Sequence, residues 1–217
     1  MLLKTYDASV EAYMQTVEQK PIYLQDVQNN PQLGHYLDLI RSAQSAGRET
    51  WNIWYLFAFR PEATVHLARF TEEIMRGPSP LSTSLRELIA AFTSYNNECA
   101  FCTKAHVAVA AALLGSEDMV WNVLRDMENS SLKEAEKVLF RFVRKITKQL
   151  PEIDEEHIQI VRAAGWSDEA IYYAISVCAL FNFYNRWISA TGVHPVSEEC
   201  HRSRGRVVAE KGYAPRS

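Results

Sequence analysis

Short-range punctuation governs what this chain can fold into. Gly, Pro and cap-forming Ser or Asp cut it into segments of helical length, and inside each segment the apolar residues return with a helical period. Tyr36–Ala46 ends at Gly47, and Thr50–Phe59 stops at Arg60-Pro61. Pro61 opens the next helix, which Gly77-Pro78 closes after Arg76. Beyond the loop "GPSPLSTS", Ser84 with Glu87 reads as a capping box for "LRELIAAFTSYNN". A further helix runs from about Cys99 to Leu114 and ends at Gly115. Ser116 then caps "EDMVWNVLRDM", and Ser131 with Glu134 caps "LKEAEKVLFRFVRKITKQL", which Pro151 terminates. Asp154 starts "EEHIQIVRAA", which stops at Gly165. Ser167 caps the last long helix, through about Ala190, and Gly192 closes it. No segment alternates apolar and polar residues with the period of a strand. The pattern predicts an all-α protein, a bundle of about eight helices joined by short loops. The stretch from Val193 onward reads as irregular, reaching over a neighbouring subunit.

At 217 residues the chain is long enough for one sizeable core. No linker divides it. The expected organisation is a single helical domain over 1–195, with N-terminal helices in 1–77, a motif-bearing core at about 78–192, and a tail at 196–217. A net charge of −3 leaves no basic footprint for nucleic acid. The densest basic run, His201–Arg206, reads as solvated tail. The opening "MLLKTYDASVEAY" lacks the pattern of a secretory leader. The most apolar window, Ala170–Trp187, contains Asn182 and Asn185, is bounded by charge, and suits a buried helix better than a membrane span. The expected compartment is therefore cytoplasmic, without membrane association. There a close cysteine pair points to redox chemistry or a metal rather than a structural disulfide.

That pair lies in "NNECAFCTKAH". Cys99, Cys102 and His106 stand at i, i+3 and i+7, which gathers their side chains on one helical face. With a break at Asn96–Glu98, Cys99 falls in the first turn, where unpaired N–H groups and the positive end of the helix dipole favour a thiolate. Cys-X-X-Cys at such a site lowers one thiol from about 8.5 into roughly the 3.5–7.5 range. Two other readings compete. Structural zinc requires four ligands, and the further candidates are His106, Cys178, Cys200 and His201. Of these, Cys178 sits in an apolar helix, and Cys200-His201 lack a second Cys-X-X-Cys. Inert packing is the third reading, opposed by the polar neighbours Glu98, Thr103 and Lys104.

Glu87, Cys99, Cys102 and His106 together reproduce the Glu-x(11)-Cys-x-x-Cys-x-x-x-His pattern, and the chain resembles the alkylhydroperoxidase D-like (AhpD-like) proteins of the carboxymuconolactone decarboxylase superfamily. "FAFRPEATVHLARF" and "FNFYNRWISATGV" are similar to segments of its peroxidase-related branch, so the resemblance spans roughly residues 50–195. It implies an AhpD-like helical bundle and a peroxidase-type enzyme. Cys102 would be the peroxidatic thiol, Cys99 the resolving one, His106 the proton acceptor, and Glu87 the group that polarises the relay. The partners would be a small-molecule hydroperoxide and an external thiol or dithiol reductant. No cofactor or metal would be needed. Relatives form symmetric assemblies, often trimers or hexamers, so a homo-oligomer (dimer, trimer or hexamer) is implied. Some members carry a histidine just before the second cysteine, where this chain has Phe101.

Two alternatives stand beside the peroxidase. One is a carboxymuconolactone-type decarboxylase, a branch that works without the cysteine pair. The other is a non-enzymatic redox-sensing or zinc-binding helical protein. Asn185 and Arg186 read either as an internal cap or ion pair, or as a cavity wall. The aromatics crowded at Trp51–Phe59 and Tyr172–Trp187 read mainly as core or subunit interface. A few of them beside Cys102 would suit an organic hydroperoxide.

Overall fold

A helix with one apolar stripe can bury it only against a partner. The computed structural model, which describes residues 21–213, meets that need with eleven α-helices and no strand among the described residues. In order they are α1 (Gln25–Asn29), α2 (His35–Ser45), α3 (Ile53–Phe59), α4 (Pro61–Arg76), α5 (Thr83–Asn96) and α6 (Ala100–Leu114). Then come α7 (Glu117–Arg125), α8 (Glu134–Lys148), α9 (Glu155–Ala163), α10 (Asp168–Thr191) and α11 (Glu198–Lys211), with a 3₁₀ turn at Leu150–Glu152. The reading of the first residues as leaderless concerns 1–20, which lie outside the described residues, as do 214–217. No described helix is long and apolar enough to cross a membrane.

The centre is the α5–α6 hairpin. Every residue from Leu85 to Ser94 on α5 and from Phe101 to Ala110 on α6 is buried. Such all-round burial explains why these two helices carry little amphipathic contrast. Helices α8 and α10 pack on α5, and α4 lies against α10. The strongly amphipathic α8 buries Leu139, Phe140, Phe142 and Val143 on one face.

Most punctuation acts as the sequence predicts. Ser116, Asp154 and Ser167 accept hydrogen bonds from the backbone N–H of Met119, His157 and Ala170. Gly115 and Gly192 close α6 and α10 in the left-handed conformation, at φ 78° and 76°. Three expectations need correction. Ser82, not Ser84, caps α5 by accepting from Leu85 N–H at 3.1 Å. Glu87 therefore lies beyond the first turn, on a buried face, and has no capping-box role. At α8 the box is shifted too: Glu136 accepts the Lys133 N–H at 2.8 Å in place of the Ser131–Glu134 pair.

The third correction concerns the tail. Residues read as irregular form α11, capped by Ser197, and α11 lies directly on α6. The contact is close because Gly205 has no side chain: a Cβ there would stand 2.7 Å from the backbone and Cβ of Ala108. Only His201 and Gly205 of α11 are buried. The apolar periodicity that identifies the other helices is missing from "EECHRSRGRVVAEK" for that reason.

Candidate active site

The turn between α5 and α6 sets the cysteines in place. Glu98 takes a left-handed conformation at φ 57°, a cost of ~1 kcal/mol for a residue with a side chain, and its surroundings hold it there. Cys99 N–H donates to Ser94 O at 3.0 Å. The Asn97 amide donates to Asn182 and Asn185 of α10 at 3.0 and 2.9 Å, and Asn185 donates to Ser94 Oγ at 3.0 Å. Asn185 thus serves as an internal tie between α10 and the turn, and it is not part of the cavity wall. Arg186 is exposed and binds Asn182 on its own helix.

Cys99 is the N-cap residue of α6, and Cys102 follows within the first turn. Both are buried free thiols, their sulfurs 3.0 Å apart, with the Cys99 S–H directed at Cys102 Sγ. Once Cys99 ionises the bond reverses, and accepting it from the Cys102 S–H brings Cys99 from an ordinary 9.0 down to about 7, against the opposing effect of burial. Burial, reinforced by the neighbouring Cys99, pushes Cys102 well up. The pair titrates as one unit that releases its first proton easily and its second with difficulty. A proton held between sulfurs this close resides on either one. Access separates them: Cys102 lines the central cavity, and Cys99 does not.

Glu87 is fully buried on α5 and accepts three donors. Arg76 Nη2 lies 2.7 Å from Oε1, Tyr213 Oη donates to the same oxygen at 2.7 Å, and His106 Nδ1 lies 2.8 Å from Oε2. Burial raises the carboxyl's pKa. The hydrogen bond and charge of His106, the Arg76 guanidinium and the Tyr213 hydroxyl outweigh it and hold the group below its ordinary range. An ionised Glu87 accepts a hydrogen bond from Nδ1–H, which leaves Nε2 as the ring nitrogen turned away from the carboxylate. The ring stands edge-on to Phe181, centroids 4.2 Å apart. His106 is one helical turn from Cys102 on α6, and both line the cavity. The ring's described hydrogen bonds both use Nδ1, to Glu87 and, at 3.3 Å, to Tyr213. Tyr213 is itself braced by the Arg76 guanidinium, 4.8 Å from its ring centroid.

The cavity measures about 690 Å³, within the range of pockets that enclose a small organic ligand (~300–1,000 Å³). Trp51, Trp54 and Phe57 line it beside Phe181, Tyr184 and Ile188 of α10. The five aromatic residues among these belong to the two aromatic clusters of the sequence.

The four motif residues therefore meet as two connected pairs on one hairpin. The other zinc candidates lie apart. Cys178 is bonded to Thr147 at 3.3 Å, Cys200 lies near the Glu49 carbonyl, and His201 accepts from Val196 N–H. Among the described residues no three His, Cys, Asp or Glu side chains gather as a metal's ligands would. Two site residues escaped the sequence reading. Arg76 looks like an ordinary basic residue at a helix C-terminus, and Tyr213 lies in the stretch read as irregular. Neither carries a local signal.

Residues 61–145 match the model of the carboxymuconolactone decarboxylase family, a stretch that holds Arg76, Glu87, both cysteines and His106 but not Tyr213. No curated protein matches the sequence. Among solved structures, an uncharacterized peroxidase-related protein from Silicibacter sp. TM1040 is 26% identical, with TM-score 0.74 over 88% of this chain and 100% of that one. An uncharacterized peroxidase-related protein with an alkylhydroperoxidase AhpD core, from Ralstonia eutropha JMP134, is 21% identical, with TM-score 0.67 over 84% and 90%. The debrominase Bmp8 is 18% identical, with TM-score 0.64 over 88% and 98%. The last two likenesses are of fold alone.

Proposed function

We propose that the chain, which has the AhpD-like fold and matches the carboxymuconolactone decarboxylase family over residues 61–145, is a thiol-dependent peroxidase acting on organic hydroperoxides. One observation carries the reading: two thiols 3.0 Å apart, one of them facing an apolar cavity beside a histidine whose far nitrogen is oriented by a buried carboxylate.

In the proposed cycle His106 Nε2 takes the Cys102 proton, and the sulfur attacks the outer oxygen of ROOH. An S–O bond forms and the O–O bond breaks. His106 returns the proton to the departing alkoxide, so that ROH leaves and Cys102 becomes a sulfenic acid. Cys99 then attacks Cys102 sulfur; its own proton leaves with the hydroxyl as water, and a disulfide remains. The sulfurs need to close only from 3.0 Å to about 2.05 Å. An external thiol or dithiol supplies the two electrons that restore both thiols by exchange. These steps call on no metal, flavin or haem. Glu87 holds the tautomer, and Arg76 with Tyr213 holds Glu87. These three are positioning residues.

We place the protein in the cytoplasm as a homo-oligomer. Phe70, Tyr172 and Phe183 are about half exposed or more in the single chain, apolar area of the kind subunit contacts cover.

The test is mass spectrometry after a sub-stoichiometric pulse of cumene hydroperoxide. The wild type should give a Cys99–Cys102 disulfide, and Cys99→Ser should trap a sulfenate on Cys102. Peroxide consumption that survives Cys102→Ser would sink the proposal. Turnover of carboxymuconolactone would favour the decarboxylase.

A further inference from the structure

The cavity wall is charged on one side only. The chain carries 26 acidic residues against 23 lysines and arginines. Yet the charged side chains lining the cavity are Arg204 and Lys211, both from α11, with no Asp or Glu among them. The remaining polar groups are largely committed elsewhere. The Tyr213 hydroxyl donates to Glu87, and the Thr71 and Tyr184 hydroxyls bond one another at 2.7 Å. His35, also in the wall, is exposed at its rim, and partial desolvation, opposed by Asp38, lowers its pKa.

Arg204 differs from the other well-placed arginines. Arg76, Arg141 and Arg162 each have a carboxylate within 3 Å. Arg204 instead places its guanidinium carbon over Trp54, 4.2 Å from the ring centroid, and among the described residues no carboxylate pairs with it. It is half-buried. Burial works against its charge, as does the nearby Arg48, and the Cys200 sulfur offsets them only in part. A guanidinium fixed on an aromatic ring, partly dehydrated and without a counterion, is set up to receive a planar anion in two-point fashion.

We infer that the cavity selects an organic acid: an apolar body bearing a carboxylate that pairs with Arg204, with Lys211 adding positive charge at the exposed end of α11. This rests on the peroxidase reading for its chemistry, the substrate then being a hydroperoxide of such an acid. The recognition itself does not. Apolar walls take the body, Arg204 takes the carboxylate, and the peroxide group is presented to Cys102 in the same cavity. Arg204 acts as a specificity residue.

Calorimetric titration of full-length Cys102→Ser protein separates binding from turnover. The probes are dodecanoic acid and 3-phenylpropanoic acid, each beside its methyl ester, so that the two arms report whether a chain or a ring fits better. At least one acid should bind about tenfold or more tightly than its ester, the scale of one charge-assisted pair. Adding Arg204→Gln should erase that preference and leave ester affinity unchanged, while Arg204→Lys should keep most of it. Acid and ester binding alike, in both arms, overturns the inference. So does an Arg204→Gln variant that weakens both alike. Failure of the wild type to consume cumene hydroperoxide would instead count against the peroxidase and leave the acid preference standing.

Discussion

At the scale of single residues, the site is two short hydrogen-bonded sets that share a helix. The sulfur pair loses its first proton near about 7, so iodoacetamide labelling should accelerate as pH rises through 7. In Cys99→Ser the remaining thiol keeps the penalty of burial and loses its hydrogen-bonding partner, and its midpoint should move up by more than one unit. A wild-type midpoint at an ordinary thiol value would contradict the shared-proton account. Glu87 poses the complementary case. Glu87→Gln leaves the largely buried Arg76 guanidinium without its close carboxylate partner, with only the weaker influence of Glu72, and breaking a buried pair in this way costs up to ~3 kcal/mol. Urea unfolding would read the loss. The carboxyl is held low in the folded state, so between the folded and unfolded values the unfolded chain binds the extra proton. The stabilisation is complete above about 4.5 and disappears as pH falls through the folded value. Tyr213→Phe removes one donor to Glu87 and should cost only about 1 kcal/mol. It should reduce kcat for peroxide with little change in KM, since the tyrosine acts through the relay.

At the scale of elements, the decisive contact is α11 on α6. One glycine permits it, and α11 supplies two of the cavity's charges and leads to Tyr213. Gly205→Val would force its side chain into the Ala108 backbone, an overpacking cost of about 1–3 kcal/mol. For a chain of this length each kcal/mol lowers Tm by about 2–4 °C. The same variant should lose acid binding as α11 is displaced. A variant with unchanged Tm would show that the helices separate without strain. The helix itself escaped sequence reading because its buried residues are a glycine and a histidine, neither of which registers as an apolar stripe. The α5–α6 hairpin was legible for the opposite reason. Its breaker, its cysteines and its histidine follow one another within about three turns, each roughly a turn from the next, and helical geometry alone relates them.

At the scale of the whole molecule, His201 reports how α11 closes the core. It is buried against Trp51 and Phe101. Burial, with help from the charge of Lys104, lowers its pKa to about 3. The folded protein therefore refuses a proton that the unfolded chain accepts below about 6.5. Stability should fall as pH drops from there toward 3, by at most about 1.4 kcal/mol per pH unit from this residue. Denaturation curves across that window should flatten in His201→Phe. The sequence alone determined the all-helical class, the hairpin, and the shared face of Cys99, Cys102 and His106, because each follows from capping, periodicity or spacing along one or two helices, while Glu87 joined them only through the resemblance to the AhpD-like pattern. Tertiary structure alone decided that Glu87 is a charge anchor rather than a cap, and that Arg76 and Tyr213 hold it. It also decided that Arg204 faces an apolar cavity. The physical reason is separation: Tyr213 and Glu87 are 126 positions apart. Whether a polar side chain is buried among partners depends on how helices pack, which no local pattern encodes.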